Sequence, residues 1–159
     1  MRQIELIEGY ILAWNTLNPA LLDPILDDKV EYHSQMVLDV LKGKTAVLEY
    51  YGKMFETINK NNSPVIAENA FLNNIPCTVL TQFFIDDGLN GNNTSLIKEG
   101  TTECGFKYNY RDSVILFEFK DEKISKINLC ITPNPSEINK TAYTDLRNEK
   151  IKQLENLYS

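Results

Sequence analysis

His33 is the only histidine in the chain, and it stands in the run KVEYHSQMV (29–37), where it alternates with Glu31 and Gln35. An imidazole with an ordinary pKa near about 6.5 exchanges protons around neutrality, so one reading of His33 is a general acid or base inside a pocket. The other is a polar side chain on the wet face of a strand, and alternation by itself favours this second reading, because Val30, Tyr32 and Met36 have the character of the core side. Other chemistries find less support. Cys77, Cys104 and Cys130 are far apart and form no CxxC pair, which argues against a disulfide framework or a zinc site and for reduced, mostly buried thiols. There is no Ser-His-Asp pattern, phosphate-cradling glycine loop or metal-ligand spacing. Glu103, Arg111 and Asp112 fall among late strand-like segments, where a solvated ion pair on a strand edge is expected.

The composition narrows the partners. Sixteen Lys and Arg against 22 Asp and Glu give a net charge of -6 and a pI near 4.8, which disfavours nucleic acid and anionic membranes. With 43% hydrophobic residues, seven Gly and six Pro, the chain has the make-up of a folded protein with a real core. Glu5 and Glu8 interrupt the first apolar segment, so no secretory signal is expected, no stretch reaches membrane-span length, and a cytoplasmic location is expected.

Whatever His33 does depends on the elements that hold it. Ile4, Ile7, Ile11 and Trp14, flanked by Leu6, Tyr10 and Leu17, recur at helical steps and predict an amphipathic first helix. Asn18 and Pro19 open a short second helix, Ala20 to Leu26, cut short by Pro24. From Lys29 the period becomes two, with Val30, Tyr32, Ser34 and Met36 on one face and Glu31, His33, Gln35 and Val37 on the other. A strand over 37–42 leads through Gly43 into a third helix, with Ala46, Val47, Tyr50, Tyr51, Met54, Phe55 and Ile58 on one face. The remainder is β-rich. KDEK (120–123) marks a hairpin turn, the Gly- and Asn-rich 86–95 run another hairpin end, and Pro133 and Pro135 the end of the last strand. A closing helix is expected over 141–158, with Leu146, Ile151, Leu154 and Tyr158 as its stripe. Helices followed by an antiparallel meander describe an α+β domain with helices on one side of a curved sheet.

GYILAWN near the end of the first helix, LDDKVEY opening the first strand, LKGKTAVLEYY opening the third helix and the final ILFEF/ISKINL hairpin, in this order, resemble the nuclear transport factor 2-like superfamily, in its SnoaL-like and ketosteroid isomerase-like branch. The likeness covers roughly residues 4–131, with 136–159 as a C-terminal helical extension of one domain spanning 1–159. It implies a cone-shaped, curved antiparallel sheet wrapped around the N-terminal helices, with an apolar ligand cavity at the open end and an extra C-terminal helix. Compared with the ketosteroid isomerases, Tyr10 in YILAWN matches the oxyanion-holding tyrosine, His33 the position of the catalytic base, counted from Asp27 and Asp28, and Tyr51 the supporting tyrosine. Ile115 falls where that family has a second, acidic oxyanion donor.

The resemblance implies a small-molecule-binding protein for an apolar carbonyl compound. It is either a cofactor-independent isomerase, cyclase or hydratase with His33 as base and Tyr10, oriented by Tyr51, as oxyanion donor, or a non-catalytic ligand-binding or interaction module, which Ile115 favours. Trp14, Phe55, Phe83, Ile115, Phe117 and Ile127 are the expected apolar lining, with ordinary core packing as the alternative for each. No cofactor and no metal are expected, and a homodimer is.

Overall fold

The computed structural model describes residues 2–34, 37–85, 97–131, 138–140 and 143–158. Met36, the 86–95 run, Pro133, Pro135 and residues 136, 137, 141 and 142 lie outside the described residues. The first amphipathic segment forms α1 (Gln3–Thr16), which buries Leu6, Ile7, Tyr10, Ile11, Ala13 and Trp14. Ile4, expected on the same face, is 46% exposed at the start of the helix. The Asn15 carboxamide accepts from the Ala67 backbone N–H at 2.7 Å and donates to the Ala67 carbonyl at 3.0 Å, which ties the end of α1 to the sheet. The short second helix is a 3-10 segment, Pro19–Ile25, with the Asn18 side chain accepting from the Ala20 N–H at 3.1 Å. Pro24, which lacks an N–H, sits inside it and is incompatible with a continuing α-helical ladder.

β1 (Leu26–Ser34) starts earlier than Lys29 and keeps the expected alternation: Val30 and Tyr32 are buried, Glu31 and His33 half-buried. After β2 (Val37–Lys42), Gly43 at φ 93 admits α2 (Lys44–Asn61), whose Val47, Tyr51 and Phe55 are buried. There follow β3 (Val65–Leu72), β4 (Ile75–Phe84), β5 (Lys98–Thr101), β6 (Lys107–Lys120), β7 (Lys123–Ile131), β8 (Ile138–Lys140) and α3 (Thr144–Tyr158). The strands form one curved, unclosed sheet in the order β2-β1-β7-β6-β4-β3-β8, with β5 pairing β6. All pairs are antiparallel except β1 with β7, which brings Tyr32 beside Ile127 and His33 beside Asn128. Two hairpins close on two-residue turns with both residues left-handed, Asn73-Asn74 at φ 47 and 68 and Asp121-Glu122 at φ 49 and 61. That is the hand that matches strand twist.

The main core fills the concave face, where Tyr10, Trp14, Tyr51 and Phe55 from α1 and α2 meet Val30, Tyr32, Val65, Ile115 and Ile127 from the strands. α3 packs on the other face and buries Ile151 and Leu154 against Ile66 and Phe83, while Tyr158 is 57% exposed. Its Arg147 reaches the buried Glu68 carboxylate at 3.3 Å and lies over the rings of Phe83 and Tyr110 at 5.2 and 5.3 Å. Cys77 is buried, Cys130 half-buried and Cys104 exposed, so one thiol departs from the buried expectation. Among the described residues no helix is long and apolar enough to cross a membrane.

Candidate functional site

Tyr10 is carried inward by the apolar face of α1 and Tyr51 by that of α2. Their hydroxyls meet at 2.7 Å, both side chains fully buried. Each phenol therefore satisfies the other, as a buried hydroxyl must be satisfied. Burial pushes both well above the ordinary tyrosine range, so they stay protonated and able to donate. The rings interlock edge to face: Tyr10 on Phe117 at 5.0 Å, Trp14 on Phe55 at 4.9 Å, Tyr32 on Tyr51 at 5.6 Å. The Trp14 indole N–H lies close enough to the Tyr10 oxygen to ease its ionisation, but it is buried without an acceptor in hydrogen-bond geometry.

Beside this aromatic packing lies a cavity of about 270 Å³. Its walls come from Trp14 of α1, Tyr50, Met54 and Ile58 of α2, Tyr32 and Ser34 of β1, Val65 of β3, Leu80 and Gln82 of β4, Arg111 and Ser113 of β6, and Leu129 of β7. Strand alternation selects these residues: Leu80 stands across from Ser113, and Gln82 from Arg111. The Tyr32 phenol is also pushed up by burial, with Tyr50 and Ser34 around its hydroxyl. The polar edge is held by a short chain in which Arg111 donates to the Gln82 carbonyl at 3.1 Å and the Gln82 amide donates to the Ser63 hydroxyl at 3.0 Å.

The structure brings Tyr10 and Tyr51 together but does not bring His33 to them. Tyr32 and Ser34 take the cavity face of β1, so His33 projects from the opposite face, where its Nε2 lies 2.9 Å from Glu31 Oε1. That hydrogen bond holds the Glu31 carboxyl below its ordinary range. Of the expected lining, Trp14 borders the cavity, whereas Phe55, Ile115, Phe117 and Ile127 pack in the core around the tyrosine pair. Phe83 lies on the far side of the sheet, beneath α3. Among the described residues no cluster of three or more His, Cys, Asp or Glu is arranged to hold a metal ion.

No protein-family model matches the sequence, and no curated protein sequence does. Solved structures do. A protein of unknown function with a cystatin-like fold from Xanthomonas campestris is 21% identical, over 86% of this chain and 95% of that one, with a TM-score of 0.51. A nuclear transport factor 2-like protein of unknown function from Cytophaga hutchinsonii is 14% identical over 86% and 95%, with a TM-score of 0.52. Another, from Mesorhizobium loti, is 10% identical over 82% and 90%, with a TM-score of 0.51. The chain has the nuclear transport factor 2-like fold.

In this nuclear transport factor 2-like cone, the polar and aromatic cavity residues that local sequence pattern does not point to as lining are Tyr50, Tyr32, Ser34, Gln82 and Ser113, and Arg111 stands out only beside Asp112 as an ion-pair candidate. Their signal was present in part. The period-two pattern puts Tyr32 and Ser34 on the core side of their strand, and the helical pattern puts Tyr50 on the apolar face of its helix. The pairing of Gln82 with Arg111 depends on the register between β4 and β6, which no local pattern reveals.

Proposed function

We propose that this protein binds a small molecule in the cone, with the ligand's apolar body against Trp14, Tyr32, Tyr50 and Met54. The observation that carries this reading is the cavity itself: mostly apolar and aromatic walls with a few convergent polar groups, just below the size range of about 300–1,000 Å³ usual for small-molecule sites. The shared fold adds no more than architecture, since one fold hosts many functions. A cofactor-independent isomerase, cyclase or hydratase remains the catalytic extension of the proposal. The Tyr10–Tyr51 hydrogen bond supports it. It also requires a base at the cavity, and the side of β1 occupied by His33 and Glu31 gives no support for that step, so ligand binding is the function we put forward.

The chain has one tryptophan, and it borders the cavity, so Trp14 emission is a direct reporter. Titration with Nile red, a neutral apolar dye, should quench Trp14 and shift the dye emission to the blue. Leu80→Trp, which fills the cavity, should abolish the dye shift. Unchanged dye emission with the folded parent protein would refute the pocket reading.

A further inference from the structure

Arg111 is a half-buried cation on the wall of the cavity, and its one hydrogen-bond partner among the described residues is the neutral carboxamide of Gln82. Its sequence neighbour Asp112 gives it nothing. On a strand the two point to opposite faces, and Asp112 is engaged on the far side by the Thr81 hydroxyl at 2.6 Å and Lys98 at 3.2 Å. A guanidinium taken partly out of water normally finds a carboxylate or phosphate, because its planar fork matches them in pairs of hydrogen bonds. Among the described residues bordering this cavity there is no Asp or Glu, in a chain of net charge -6, and no second cation. The other polar side chains bordering this cavity, apart from the Gln82 carboxamide, are hydroxyls and phenols that can donate, those of Ser113, Ser34, Tyr32 and Tyr50.

We infer that the ligand of the cone is a small organic acid, an apolar body carrying one carboxylate, and that Arg111 pairs with the carboxylate while Gln82 holds the guanidinium in place. One cation among neutral donors suits a single negative charge. A phosphate dianion would leave charge uncompensated in a partly dry site. Because Arg111 also borders a second hollow of about 280 Å³ beside Asn62, Ser63 and Leu154, the inference specifies the side from which the acid approaches, namely the cone.

The inference rests on the pocket reading and is tested separately from it with matched probes: indole-3-acetate, its neutral isostere indole-3-acetamide, and phenyl phosphate, each by calorimetry. The acid is expected to bind at least about tenfold more tightly than the amide, the worth of one charge-assisted pair, and more tightly than phenyl phosphate. Arg111→Gln should erase the preference and Arg111→Lys should keep part of it, with circular dichroism reporting that both variants fold. Leu80→Trp should abolish binding of the acid. Equal affinity for acid and amide would overturn the role of Arg111 while leaving the pocket standing. Tighter phenyl phosphate binding would overturn the ligand class, and acid binding that survives Leu80→Trp would put the anion in the outer hollow. Failure of all three probes together with Nile red would remove pocket and inference alike.

Discussion

Raising the pH should unfold this protein cooperatively from within its aromatic core. Tyr10, Tyr51 and Tyr32 all hold their protons well above the ordinary tyrosine value of 10.0, first of all because burial penalises the phenolate. In the unfolded chain they would ionise near that ordinary value. The stability they contribute is therefore complete below about pH 10 and is lost as the pH climbs toward their folded values, because the unfolded state releases protons that the folded state keeps. Each such tyrosine costs about 1.4 kcal/mol per pH unit above that point, so three give a slope of about 4 kcal/mol per unit. Cys77 adds to this. Its thiol is pushed by burial from 9.0 to about 11, which removes a further ~2 kcal/mol between those limits. By pH 11 the sum is about 6 kcal/mol, within the 5–15 kcal/mol of a typical domain, which places the alkaline midpoint between about pH 10.5 and 12. Tyrosinate absorbance and far-ultraviolet circular dichroism, followed together, should show a block of phenols ionising only as the secondary structure is lost. Tyr51→Phe should lower the slope of stability against pH by about a third. All tyrosines titrating smoothly with the fold intact would refute the reasoning.

Two other outcomes follow from particular contacts. Arg147→Met removes the cation that faces buried Glu68 and lies over Phe83 and Tyr110, and should destabilise by about 3 kcal/mol in urea titrations, with a double variant carrying Glu68→Gln recovering part of the loss. Asn74→Gly, at φ 68 in the two-residue turn between β3 and β4, should stabilise by about 0.5 kcal/mol, seen as a higher urea midpoint with unchanged slope.

Much of the architecture was legible because it rests on local periods. The three-and-four spacing in 3–17 and 44–61 and the alternation after Lys29 are direct consequences of 3.6 and 2.0 residues per side-chain repeat, and KDEK has the composition of the turn it forms. What escaped has equally physical causes. β5 and β8 are four and three residues long, too short for a period to show. Asp27 and Asp28 look like helix-stopping turn residues, yet β1 already includes them, because its pairing with β7 starts at Leu26 opposite Ile124. That parallel pair joins segments about a hundred residues apart, and no local preference encodes it.

The site was decided by which way individual strand residues point, and there local pattern and family count disagreed. Counting from Asp27 and Asp28 assigned His33 to the base position. Alternation points to Val30, Tyr32 and Met36 as the interior side, with Ser34 on the same face, and the cavity wall contains Tyr32 and Ser34. The same rule separates Arg111 from Asp112. Adjacent opposite charges look self-neutralising in a sequence, but in a strand adjacency guarantees opposite faces, so Asp112 is drawn to Lys98 and Thr81 while Arg111 enters the cavity with a neutral partner. An inward arginine among donors is costly to bury unless something brings negative charge to it. On the proposed reading, the chemistry of this cone turns less on its single histidine than on the charge a ligand would bring to Arg111.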